Sequence, residues 1–284
     1  MMRIIRNNIF LAGLMLCLCP LVSIAQTDKV RAGERVITNS KMIGWGTTNL
    51  LDTYLSPEEY TGLDLRYISH TLRQREGSHI IYELIHQGNI AYVNNRAKNG
   101  REIAGNYNFQ CGLHYLCGAW KLGRNELQLE AGGNAELNLG FLYNTRNSNN
   151  PAQAHAFLNL LPVAALTYNF QNPFCSSEFR DFRLRYEVGM SLVGVMFSPN
   201  YGQSYYELFS KGNYDHNIVP TYIGNTPSLR HFLTLDIPLW RATLRIGYQG
   251  EYLQAHVNKI KYHTYTHTLL LGVTKTFKLT HVRR

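Results

Sequence analysis

The sequence predicts an all-β fold, a transmembrane antiparallel up-and-down β-barrel of ten to twelve strands with short loop helices. Three observations carry that prediction. The first is a pair of long alternating segments. Ile103, Gly105, Tyr107, Phe109, Cys111, Leu113, Tyr115 and Cys117 form one apolar row, against Ala104, Asn106, Asn108, Gln110, Gly112 and His114. After a polar turn at 120–125, Leu127, Leu129, Ala131, Gly133, Ala135, Leu137, Leu139, Phe141 and Tyr143 form a second row against Gln128, Glu130, Gly132, Asn134, Glu136, Asn138 and Gly140. Strand side chains point alternately to opposite faces, so this is an amphipathic hairpin. Each arm exceeds the ~9–11 tilted residues that cross a bilayer.

The second observation is that the polar rows carry both signs of charge. Arg66, Glu83, Glu130, Glu136, Arg183, Arg185, Glu187, Arg245 and Glu251 are the candidates for ion pairs crossing a lumen. A soluble outward face would be richer in Lys. The third is that aromatic residues gather where strands end, at Tyr92, Tyr143, Tyr168, Phe170, Phe182, Trp240, Tyr252 and Phe277, as interfacial girdles require.

The N-terminus agrees with export. Arg3 and Arg6 precede an apolar run over 9–19, and Ser23-Ile24-Ala25 offers a cleavage site, so residues 1–25 read as a signal peptide. Residues 26–40 follow as a periplasmic lead-in, and 41–284 as the outer-membrane barrel domain. Charged residues make up 17% of the chain, below the ~25% of an average soluble domain. The formal charge of +9 comes without Lys/Arg runs interleaved with aromatics, which excludes a nucleic-acid partner and points to anionic lipid head groups. The expected partners are outer-membrane lipid and the barrel-insertion machinery. Cys111 and Cys117 lie six residues apart on one strand, roughly 20 Å and beyond the ~7 Å reach of a disulfide. A bridge from either to Cys175 stays open.

In chain order, 41–50 is a first strand. Ser56, Pro57, Glu59 and Gly62 have the chemistry of a short helical turn. Leu63 to Thr71 alternates again, and 79–92 is a third strand interrupted at His86 and Gly88. Beyond the hairpin and the Asn-rich loop at 144–152, Phe157, Leu161 and Val163 occupy the inner face of 154–170, and Pro162 calls for a bulge. Phe182 to Met196 alternates as one strand, with Leu192 and Met196 in its apolar row. The long stretch 198–227 holds a capping box at Ser204 and Glu207 and a stop at Gly212, hence a loop helix. A hairpin turning at Gly212-Asn213 is the alternative, and it raises the strand count from ten to twelve. The last strands are 229–239, 242–252 and 265–279.

Chemistry is sparse. His263 and His267 stand about 13 Å apart on a strand and cannot share one ion. No His-Glu-x-x-His, Gly-x-Ser-x-Gly or phosphate-cradling Gly loop occurs. No metal and no cofactor is expected. The weak catalytic candidates are Ser204, Glu207 and His216, in the long loop.

The segments GWGTTNLLDTYLSPEEYTG, SPNYGQSYYELFSKGN and IGYQGEYLQAHVN resemble an uncharacterised family of Gram-negative outer-membrane β-barrels, over about Gly44 to Phe277. That resemblance implies the fold and an outer-membrane address, and brings no catalytic residue. Two expectations about role follow. One is a structural, binding or narrow-pore barrel, and the other a barrel enzyme that hydrolyses lipid A or phospholipid.

Overall fold

The computed structural model describes residues 35–148, 150–171, 181–239 and 242–279. Its strands are β1 (Arg35–Asp52), β2 (Ser56–Arg75), β3 (Ile80–Asn95), β4 (Arg101–Leu122), β5 (Asn125–Asn144), β6 (Ala152–Phe170), β7 (Phe182–Met190), β8 (Val193–Phe197), β9 (Ile218–Tyr222), β10 (Leu229–Leu239), β11 (Ala242–Val257) and β12 (Ile260–Leu279). Among the described residues one short helix, α1 (Tyr205–Phe209), lies between β8 and β9. The order β5-β4-β3-β2-β1-β12-β11-β10-β7-β6 closes through β5–β6 into an antiparallel ring of ten, with β8 and β9 continuing from β6 as two extra strands. Closure leaves the ring without an edge.

Alternation puts the core inside. Leu65 is 64% exposed and its neighbour Arg66 3%, and the same reversal holds for Tyr107 at 42% and Asn108 at 0%. The ring therefore has an apolar outer face and a polar filled interior, the inverse of a soluble domain. Two-residue turns join β4 to β5 and β11 to β12. Gly123 has φ of 68° in the first, and Asn258 and Lys259 have φ of 50° and 64° in the second. Positive φ at the first central residue or at both matches the right-handed twist of the strands they connect. The connections after β1, β3, β5, β8 and β11, the fourth of which holds α1, lie at one end of the ring, called here the helix end. Arg35 and Leu279 lie at the other.

Several local expectations are corrected. β1 begins at Arg35, ahead of Lys41, because residues 35–40 pair with both Leu279–Thr274 and Arg75–His70. Ser56 to Gly62 is strand, not helix. Asp52 Oδ1 accepts from the Tyr54 N–H at 2.9 Å and tightens the turn at 53–55. Pairing of Leu50 with Tyr60 then outcompetes one helical turn. Pro57 is tolerated because β3 first meets β2 at Tyr60. β3 runs without interruption through His86 and Gly88.

Pro162 needs no bulge. It stands where β6 passes from β7, which ends its pairing at Val163, to β8, which begins at Leu160. A ladder gap is where a missing N–H costs least. The bulge falls instead in β4, between Leu116 and Gly118. The strand expected over 182–196 is split at Ser191-Leu192, which shifts its parity. Val193 points outward at 47% exposure, and Met196 is inside at 2%. The long loop satisfies both of its readings in part, since α1 forms and β9 pairs with β8. Cys111 and Cys117 carry free thiols, while Cys175 and Trp240 lie outside the described residues, as does the signal segment.

Candidate functional site

Eight of the nine residues singled out for the lumen are buried inside the ring. On β2, Arg66 donates from Nη1 to Glu251 Oε2 at 2.6 Å and from Nε to Asp64 Oδ1 at 3.2 Å. Gln87 and Gln249 join the same group, Gln87 Nε2 reaching Glu251 Oε2 at 3.2 Å. Glu83 on β3 has His70 Nε2 at 2.8 Å and His114 Nε2 at 3.4 Å, and accepts from Asn134 Nδ2 at 2.7 Å. Arg185 on β7 donates to Glu130 at 2.7 Å and to Glu187 at 3.1 Å.

Glu136 accepts from Asn108 at 2.6 Å and has the Arg230 Nη1 at 3.9 Å, while Arg230 also donates to Gln110. Arg245 grips both oxygens of Asp236, at 2.5 and 2.6 Å. Arg183 alone is exposed, at the mouth nearest the chain ends, where it donates to Asn169 Oδ1 at 3.1 Å.

Some of these bonds run along the wall, as between Arg245 and Asp236 on paired strands, and others cross the lumen. Arg66 on β2 meets Glu251 on β11, and Arg230 on β10 faces Glu136 on β5, each pair three strands apart round the ring. Strand parity identified the charged residues, but the crossing partners come from walls that only closure brings together. His70, His114, Asp64, Gln110 and Asn134 belong to the same inward parity. Asp52, His155, Arg230 and Asp236 went unmarked, although they share that inward parity.

The helix end is closed differently. Leu50, Leu55, Tyr60, Ala91, Val93 and Leu142 form one apolar cluster inside the ring, and Phe157, Met196, Ala255 and Val257 another. Between them His155 Nε2 lies 2.8 Å from Asp52 Oδ2, under the ring of Tyr262 at 4.1 Å. A cavity of about 30 Å³ lies beneath, between Tyr262 and Arg66. That exceeds the roughly 10–15 Å³ a cavity needs to admit a water molecule.

Loop groups cap this end. Tyr205 Oη donates to Gln153 Oε1 at 2.6 Å and accepts from the Ala154 N–H at 2.7 Å. Tyr54 Oη donates to the Gln203 carbonyl at 2.8 Å. Burial raises both phenols above their ordinary value, helped for Tyr54 by the nearby charges of Asp52 and Glu207 and for Tyr205 by Tyr54 and Asp52.

The structure brings two of the three loop candidates together, Ser204 and Glu207, and gives His216 a different partner. Ser204 Oγ accepts from the Glu207 N–H at 3.2 Å, and the Glu207 carboxylate accepts from the Ser204 N–H at 2.9 Å, so both side chains are used in capping α1. His216 is exposed and pairs with Asp215 at 2.5 Å. Its φ of 48° turns the loop back toward β9.

Residues 10–284 match the family described as "Protein of unknown function (DUF3316)". The chain belongs to that family. A comparison with curated proteins finds no match. Among solved structures, the chain is similar to the outer membrane protease OmpT of Escherichia coli, with TM-score 0.44, 9% identity, and 89% of this chain and 99% of that one covered. It is also similar to the transport unit of the autotransporter AIDA-I of Escherichia coli, at TM-score 0.38, 7% identity, and coverage of 92% and 96%. An outer membrane channel of Pseudomonas putida F1 follows at 0.33, 8% identity, and coverage of 90% and 100%. At these values the likenesses carry no argument about activity.

Proposed function

We propose that this member of the family is an integral outer-membrane barrel with a sealed lumen, whose working surface is the set of loops at the helix end. The observation that carries the reading is the inversion of burial. Leu63, Leu65, Ile90, Leu158, Leu160 and Leu269 face outward and exposed, while the charged network inside is buried to a few per cent. Such an outer face is stable in hydrocarbon and costly in water. The signal-like residues 1–25 support export, and the even ring of ten with both ends on one side suits a periplasmic start and finish. Outer-membrane lipid is then the partner of the apolar band, and the insertion machinery that of the folding chain.

A pore is disfavoured by side chains that meet across the ring, and lipid hydrolysis by the use of Ser204 and Glu207 in a cap. Two measurements test this. The unboiled protein is expected to migrate apart from the boiled one on a detergent gel, and the folded barrel in a planar bilayer to give no conductance steps. Steady conductance overturns the sealed lumen. Release of fatty acid that disappears in Ser204→Ala overturns the binding role in favour of an enzyme.

A further inference from the structure

The interior holds more acid than base, although the whole chain is basic. Nine carboxylates and four guanidinium groups are buried among the described residues. The four arginines are already engaged: Arg66 with Asp64 and Glu251, Arg185 with Glu130 and Glu187, Arg230 with Glu136, and Arg245 with Asp236. Glu83 has no arginine within ion-pair distance, and Glu187 shares its one with Glu130. An uncompensated carboxylate in a low-dielectric interior is costly and draws a proton or a cation.

Part of the deficit gathers at one point, where Glu83, Glu130 and Glu187 have Arg185 alone among the arginines. Ligand atoms of His70, Glu83 and Glu187 all lie within 4.8 Å of one another, and all three residues are buried. They come from β2, β3 and the opposite wall, β7. His70 is 1% exposed and its Nδ1 has no hydrogen-bond partner.

We propose that His70, Glu83 and Glu187 bind a divalent transition-metal ion inside the barrel. One imidazole and two carboxylates are a donor set for zinc or manganese. Outer partners hold both carboxylates in place, Asn134 donating to Glu83 and Arg185 to Glu187. Ligation takes the imidazole in its neutral form. With the ion present, the charges of Glu83, Glu130 and Glu187 are balanced by the ion and Arg185. The ion fastens β2 and β3 to β7 across the lumen. Because the site is enclosed, it loads as the barrel folds.

The test is to refold the full chain in detergent with Zn²⁺, with Mn²⁺, or with a chelator, desalt it, and measure metal by mass spectrometry. Folded protein is scored by unboiled migration. Wild type is expected to retain one ion of at least one of the two metals per chain, and to resist heat-unfolding to a higher temperature than the chelator-refolded barrel. In Glu187→Gln and His70→Gln, which each remove a ligand, the ion is expected to be lost on desalting, the affinity falling by more than the roughly tenfold to hundredfold that loss of an outer partner costs. Asp236→Asn, in the network but outside the site, is expected to keep the ion. Substoichiometric metal in wild type after both refoldings overturns the proposal, and that measurement decides alone if the site variants do not fold. Full retention in the two site variants overturns it equally. Conductance does not enter, so a failure here is distinct from a failure of the sealed-lumen reading.

Discussion

The walls on the two sides of β6 are built differently. On one side β4 and β5 pair without a gap from Glu102 and Asn144 down to Leu122 and Asn125, broken only by the bulge at Leu116/Gly118. On the other, β7 stops at Met190, β8 resumes at Val193, and β9 and β10 are separated by residues 223–228. Among the described residues no ladder joins β9 to β11, since β10 leaves β11 at Tyr252. Isolated hydrogen bonds, from side chains and from backbone, stand in for the ladder there. Gln254 N–H donates to Ser228 Oγ at 3.1 Å, His256 N–H to the Asn225 carbonyl at 2.8 Å, and Asn258 Nδ2 to the Ser198 and His216 carbonyls, each at 3.1 Å. Hydrocarbon punishes an unpaired backbone group, so a seam of this kind belongs where water or polar side chains reach it. The continuous wall needs no such condition.

The largest expected effect comes from cutting the tie between the two walls. Arg185, on β7, holds Glu130 on β5 at 2.7 Å over the intervening β6. Arg185→Ala strips Glu130 and Glu187 of the guanidinium they share, and breaking a buried pair from one side costs about 3–5 kcal/mol. The expected outcome is a marked drop in the temperature at which the folded band on an unboiled gel is lost. Arg185→Ala with an unchanged transition would show that the interior tolerates bare carboxylates and is wetter than its burial implies.

A smaller effect is expected on the continuous wall itself. A Cβ added at Gly132 would meet the Leu113 carbonyl at 2.2 Å and the His114 Cα at 2.6 Å, both backbone. Overpacking of this kind costs about 1–3 kcal/mol, so Gly132→Ala is expected to lower the folded band's transition. At Gly224, in the broken wall, the added atom meets only the ring of Tyr222, which can swing aside. Gly224→Ala is therefore expected to leave that transition where it is. Equal effects at the two positions would erase the distinction between the walls.

The same contrast explains what could be read from the sequence. The β4–β5 hairpin was legible because an apolar outer face and a polar interior impose period two along both strands. Gln110, Glu130 and Glu136 are inside and Tyr107 and Phe141 outside for that reason alone. Ser191-Leu192 was not legible. The residues on either side keep a plausible alternation, and only the path of β6 shows that the parity has slipped, carrying Met196 inward and Val193 out. Pro57 misled because a residue without an N–H suits both a helix start and a strand edge, and the partner strand settles which. For the interior, parity marks which side chains enter. It cannot say that Glu187 meets His70 and Glu83, because their proximity is a product of ring closure.

The helix end supplies the smallest effect, confined to the loop. Tyr54 and Tyr205 pack edge to face with centroids 6.0 Å apart, and both phenols are held above the ordinary value of 10.0. A released loop would titrate near that value, while the docked loop keeps its protons past it. The docked state then binds more protons, and its advantage is complete below pH 10.0 and declines as pH rises beyond it. Limited proteolysis across residues 198–217 should accelerate only on the alkaline side, while the folded band persists. Tyr205→Phe keeps the ring but removes the bonds to Gln153 and Ala154, a loss of about 1 kcal/mol, and should speed cleavage near neutrality and flatten the alkaline rise. If cleavage in Tyr205→Phe follows the wild-type pH curve, docking is governed by the apolar contacts of the loop, and the phenol's hydrogen bonds contribute nothing to closing this end of the barrel.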